Sequence, residues 1–425
     1  MLTPPRVRAR PVLVWLLAAS SALVQGAAVP ASTHPNDDCQ VCHGDESATR
    51  SSGKSVFVDS AVFGASVHGQ LGLACVDCHA DVATAELPHA EALAPARCAT
   101  CHEESVAAYA RSAHAKARSG GQVAAATCSS CHGAHDIRGS NDAESRTYYL
   151  TVPATCAACH GSEQVIAQAR LPGGNVARQF EDSIHGRALT RGGLVVAPNC
   201  VSCHGAHDAL GPDAAESRVA RTNVPGTCGK CHAGVERRYE QGRHGAQAQG
   251  RNTKAPVCSD CHSAHHIQRA DIAGWQLGVI QECGTCHEAS MATYRDTFHG
   301  QVTALGFTRV AKCADCHGAH EVLPTSDRRS PVHADNRVRT CQKCHPGATA
   351  NFAQYDPHAD RHDRASGLVL YYTGAFMDML LAGVFSFFGI HTTLWFARSY
   401  RLMKERRAAR QTGPDDDERE ADAGA

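Results

Sequence analysis

The sequence predicts a chain of short α-helices and loops with little or no β structure, followed near its C-terminus by one transmembrane helix. Three observations predict this class. Cysteine and histidine are far above ordinary usage, at 22 and 27 of 425 residues, while aromatic residues make up 5%. All 22 cysteines fall into one motif, CxxCH, which recurs roughly every 30 residues, too short an interval for a conventional core. A single long apolar run, Gly367 to Ala397, then stands near the C-terminal end.

Residues 1–28 read as a secretory signal peptide: three arginines, an apolar run of about 14 residues, then small residues suited to cleavage. An uncleaved anchor is the alternative, disfavoured because the run is short for a bilayer. Either way the segment that follows is exported.

Residues 29–364 carry eleven motifs. They comprise Cys39, Cys42 and His43; Cys75, Cys78 and His79; Cys98, Cys101 and His102; Cys128, Cys131 and His132; Cys156, Cys159 and His160; and Cys200, Cys203 and His204. Further on come Cys228, Cys231 and His232; Cys258, Cys261 and His262; Cys283, Cys286 and His287; Cys313, Cys316 and His317; and Cys341, Cys344 and His345. CxxCH is the attachment signature of c-type haem. Spacing i, i+3 sets two thiols on one helical turn beside the porphyrin vinyl groups, and the next residue aims an imidazole at one face of the iron. Zinc or dithiol use of CxxC does not demand a histidine after every second cysteine. No cysteine is left for a disulfide. Covalent haem outside the cytoplasm fits a bacterial periplasm.

A second set of histidines keeps register with the motifs. His68, His114, His185, His244 and His299 follow an aromatic, two residues, Ser, Thr or Gly, and one residue, as in "YARSAH" and "YRDTFH"; His358, in "QYDPH", departs from that context. The aromatic is expected to pack against a porphyrin. His135, His207, His265 and His320 lie three residues after a motif histidine, and His89 is a delayed equivalent. These eleven are the candidate distal ligands. A histidine one turn beyond its own proximal ligand cannot reach the far face of the same iron, so it is expected to serve a neighbouring haem. Methionine is the usual alternative ligand, and the exported region contains only Met291. Bis-histidine iron of low potential is therefore expected throughout. The fold expected of 29–364 is short helices and loops wrapped around an elongated stacked haem array, built of two-haem repeats.

Residues 365–398 read as the transmembrane helix, with Asp378 and His391 its ionisable interruptions and Tyr371, Tyr372 and Trp395 at interfacial positions. Basic residues from Arg398 to Arg410 place the tail, 399–425, in the cytoplasm, first basic and then acidic. The haem region then lies in the periplasm and the chain in the inner membrane. His391 is read either as a ligand of one b-type haem shared with a partner or as a neutral imidazole bonded to a neighbouring helix. The formal net charge is −1, and no nucleic-acid partner is expected.

The alternating CxxCH and "CHGAH" segments from Cys39 to His362 resemble the multihaem c-type cytochromes of bacterial anaerobic electron transport. The segment "HDRASGLVLYYTGAFMDMLLAGVFSFFGIHTTLWFARS" resembles membrane segments that link such cytochromes to b-type partners. The resemblance implies electron relay between a quinone-reactive integral-membrane subunit and periplasmic or outer-membrane redox proteins. Eleven motifs matched by eleven second histidines favour an electron-transfer protein over an enzyme. The alternative is a multihaem reductase of a small nitrogen or sulfur oxyanion, which needs one iron with an open position.

Overall fold

The computed structural model describes residues 34–250 and 252–411. The expected signal peptide and the acidic end of the tail lie outside them. The chain is 56% helical, with no strand among the described residues; the one isolated β-bridge joins Thr49 and Ser55. It divides into two compact units, one ending at Thr151 and the other beginning at Val152. The first holds four motifs and the second seven.

Apolar cores are small. Among the described residues, Val76, Val82 and Ala83 form one buried cluster, and Ile280, Met291 and Tyr294 another. Chain geometry is instead held by repeated capping. The motif helices Cys128–His132, Cys200–His204, Cys258–His262 and Cys313–His317 each begin where the residue before the second cysteine reaches back to the preceding backbone. Ser130 accepts from Thr127 N at 3.0 Å, Ser202 from Asn199 N at 3.1 Å, Asp260 from Val257 N at 2.6 Å and Asp315 from Lys312 N at 2.8 Å. This satisfies one of the backbone donors that a helix start leaves orphaned.

The same helices end on a residue of positive φ: Gly133 at 85°, Gly205 at 83°, Gly318 at 81° and Ser263 at 61°. With ψ near 170°, this region is open to glycine and costs other residues about 1–3 kcal/mol. The turn redirects the chain between a motif histidine and the histidine three residues on.

A third device carries the other histidines. Ser112, Ser183 and Thr297 accept from Ala115 N at 3.1 Å, Gly186 N at 2.9 Å and Gly300 N at 3.1 Å. Each hydroxyl caps a new helix whose second residue is a distal candidate, His114, His185 or His299. The chain bends so sharply here that a Cβ at Gly186 or Gly300 would collide with the carbonyl oxygen of Phe180 or Tyr294.

The final helix, Leu368–Gln411, has 44 residues and is long and apolar enough to cross a membrane. None of its residues is buried.

The strained Ser263 yields a direct expectation. Ser263→Gly raises unfolding free energy by about 1 kcal/mol, and Gly318→Ala lowers it by a similar amount; denaturant titration of the two variants against the parent chain measures both.

Candidate functional site

Among the described residues, nine pairs of imidazoles are seen to face one another, and each of these pairs draws its members from different motifs. Ring centroids are 6.0 Å apart in His43–His89 and His68–His102, 6.3 Å in His79–His135, and 6.1 Å in His185–His232. They are 5.9 Å apart in His204–His265, 6.2 Å in His244–His287, and 6.1 Å in His262–His320, His299–His345 and His317–His358. That distance is too long for ring contact. It is the sum of two metal–nitrogen bonds of about 2 Å and two ring radii of roughly 1 Å, the spacing of two axial ligands on one metal. The donor set therefore fits a six-coordinate haem iron, with two thiols one turn from each motif histidine.

The pairing follows a rule. His68, His185, His244 and His299 reach forward, each to the second motif after the one it follows. His135, His265 and His320 reach back, each to the second motif before its own. His89 and His358, whose sequence contexts are irregular, face His43 and His317. None of these nine pairs joins a motif to the second histidine that sequence register assigns it. His114 lies in helix Ala113–Ser119, His132 and His160 close helices Cys128–His132 and Val152–His160, and His207 follows Cys200–His204; each takes part in further interactions.

Backbone contacts hold the two directions in register. Val67 N donates to Ile137 O at 2.9 Å, Ile184 N to Ile267 O at 2.8 Å and Arg243 N to Val322 O at 2.7 Å. Each bond joins the residue before a forward histidine to the carbonyl two residues after a backward one. Gly242 replaces the hydroxyl cap here because a Cβ would press on Val322 N and His320 O, at 2.9 and 3.0 Å.

The recurrent aromatic makes a hydrogen bond of its own where it is tyrosine. Tyr109 donates to Ala126 O at 2.7 Å, Tyr239 to Pro256 O at 2.8 Å and Tyr294 to Ala311 O at 3.0 Å. Each accepting carbonyl lies two residues before the first cysteine of the next motif, so the hydroxyl pins that motif helix. Burial pushes the Tyr239 hydroxyl up to about 12, and it stays a donor. The sequence signal was available: tyrosine, followed seventeen residues later by the anchor.

Electrostatics prepare the imidazoles for a metal. Burial holds His135, His185, His204, His244, His262, His299 and His317 below the ordinary imidazole range, and the facing histidine adds to the effect in each. Burial does the same for His265 and His320. A neutral ring keeps a lone pair free at neutral pH. His43 donates from Nδ1 to Val56 O at 2.7 Å and His89 from Nδ1 to Ala90 O at 2.8 Å, which leaves both Nε2 atoms as acceptors. Other rings are braced: Trp275 lies parallel to His262 at 5.2 Å, and Phe352 against His345 at 5.0 Å.

Thiols of consecutive motifs adjoin. The side chain of Cys200 and burial push Cys156 up; Cys258 does so for Cys228 and Cys283 for Cys313. Burial, then Cys39, raises Cys75 to about 11, and burial, then Cys98, raises Cys128. Alternate junctions use second cysteines. Burial, then a cysteine of the following motif, raises Cys78, Cys203 and Cys261; for Cys316 burial comes first, then Asp315, then Cys341 of the following motif. Within each unit the motifs thus adjoin in chain order.

His391 sits on the final helix with its ring parallel to that of Phe387 at 6.4 Å.

The model of the outer membrane cytochrome MtrC/MtrF-like domains II/IV matches residues 121–271, and the cytochrome c3 model matches residues 67–161. With the CxxCH motifs, these matches support a multihaem c-type cytochrome. No curated protein and no solved structure matches the chain.

The tyrosine anchors lead to a measurable cost. Tyr239→Phe leaves the Pro256 carbonyl without its donor and lowers stability by about 1–2 kcal/mol. The same change at Tyr294 also loses a contact with Thr303 Oγ1 at 2.9 Å, so its denaturation midpoint falls further.

Proposed function

We propose that the chain is a membrane-anchored electron-transfer protein that relays electrons along eleven covalent haems with two axial histidines each. The observation that carries this reading is the set of nine cross-motif imidazole pairs at 5.9–6.3 Å. Haem iron supplies one-electron chemistry when bound. The chain's own residues do the rest. Paired neutral imidazoles saturate the metal and keep substrates off it, thiols fix each porphyrin, and adjoining motifs set the order of the relay within each unit.

The final helix anchors the protein in the inner membrane, with the haem region in the periplasm and the basic tail in the cytoplasm. An integral-membrane b-type cytochrome or quinone-reactive subunit is the proposed membrane partner, and periplasmic redox proteins exchange electrons at the far end. His391 is the proposed ligand of a shared b-type haem.

Three measurements test the reading. Mass measurement of the mature chain gives eleven haem additions; eight or nine would mean that some motifs stay empty. Low-temperature spin resonance gives low-spin iron only, whereas a high-spin signal lost on adding nitrite or hydroxylamine would favour the reductase. His320→Met raises the potential of one haem, the one attached at Cys258 and Cys261, without detaching it; an unchanged redox titration would remove His320 from the ligand set.

A further inference from the structure

Gly367 to Ala397 is 31 residues, about 46 Å of helix, whereas the hydrocarbon core of a bilayer is about 30 Å thick. To keep the whole run in lipid, the helix would have to tilt by roughly 50°, beyond the observed range of about 40°. The structure offers a different boundary. The loop before the helix folds back along its first three turns. The Arg364 guanidinium lies over the Tyr371 ring at 5.0 Å and the Tyr372 ring at 5.9 Å. The Arg361 main chain packs where Gly374 has no side chain: a Cβ there would meet Arg361 O at 3.6 Å. Arg361 then pairs with Asp378 at 3.5 Å, and with Asp296 of helix Glu288–Asp296 at 3.8 Å.

A carboxylate paired with an arginine outside the helix does not sit in hydrocarbon. From Met379 to Ala397 there are 19 residues, about 28 Å, which matches the core thickness without tilt. Arg398 follows directly. Three residues before Arg361 stands His358, which faces His317 and meets the Thr293 hydroxyl through Nδ1 at 3.1 Å. Thr293 and Asp296 belong to the same helix.

Resting on the reading that this helix spans the membrane, we infer that the hydrocarbon boundary lies at Asp378 and that Arg361 is a positioning residue tying the His317–His358 pair to it. Residues 368–377 then stand above the hydrocarbon as part of the haem region. The haem nearest the membrane helix along this connection is the one attached at Cys313 and Cys316, ahead of the one that comes last in the sequence.

Single cysteines introduced in the full haem-loaded chain test the boundary. Tyr372→Cys, Phe376→Cys, Phe385→Cys and Phe388→Cys are exposed to a membrane-impermeant maleimide from the haem side in proteoliposomes, with the parent chain setting the background. Labelling at 372 and 376 with protection at 385 and 388 is the expected result. Protection at all four positions overturns the boundary while leaving the spanning helix intact. Labelling at all four overturns the spanning reading itself, and the boundary with it. For Arg361, the readout is a redox titration resolved by spin resonance: Arg361→Gln shifts one low-spin signal with the haem count unchanged, and Arg361→Lys restores it. Identical spectra for all three chains would remove the positioning role.

Discussion

Everything else in this fold depends on the reach of one imidazole from its own motif to another. A chain with two three-residue apolar clusters cannot close a core from side chains. It closes instead through metal-spaced histidine pairs whose members lie 34 to 61 residues apart, from His68–His102 to His204–His265. Each pair brings two distant stretches of chain together. The hydroxyl caps, positive-φ turns and tyrosine anchors are the means by which a short, loop-rich chain aims those rings.

The fold class was legible because CxxCH is so restrictive. Thiol spacing and the following histidine leave little freedom for another chemistry, and about 30 residues per motif leave no room for sheets. The final helix was equally plain from length and apolarity. The expectation that His320 serves a neighbouring motif rested on the impossibility of its reaching round its own haem, and the ring in fact faces His262.

Partner identity was not legible in the same way. Counting twelve residues from His287 to His299 suggests a local relation, yet His299 faces His345, because the capped bend at Thr297 turns the new helix toward the second motif after its own. Direction is set by a φ between 61° and 85° in one class and by a tight capped bend, on a hydroxyl or on Gly242, in the other. Both are backbone events with only a glycine or serine to announce them. The tyrosine anchor was visible as a recurrent aromatic, but whether its ring or its hydroxyl mattered required seeing Pro256 and Ala311. Phe63 and Phe180 occupy the same register without a hydroxyl.

The opposed reach of the two histidine classes also decides how such a chain can change length. If the motifs alternate between a class reached from before and a class reached from behind, inserting one segment with a motif of each class leaves every rule satisfied. The inserted forward ring takes over the next partner, and the inserted backward ring takes over the previous one. Among the nine pairs, the two not faced by a regular donor are those of the first motif of one class and the last of the other, and they are filled by His89 and His358. The irregular histidines are thus terminators, free of the repeat they close. Arrays of this kind can grow or shrink by duplication in steps of two motifs, with both ends carried over unaltered.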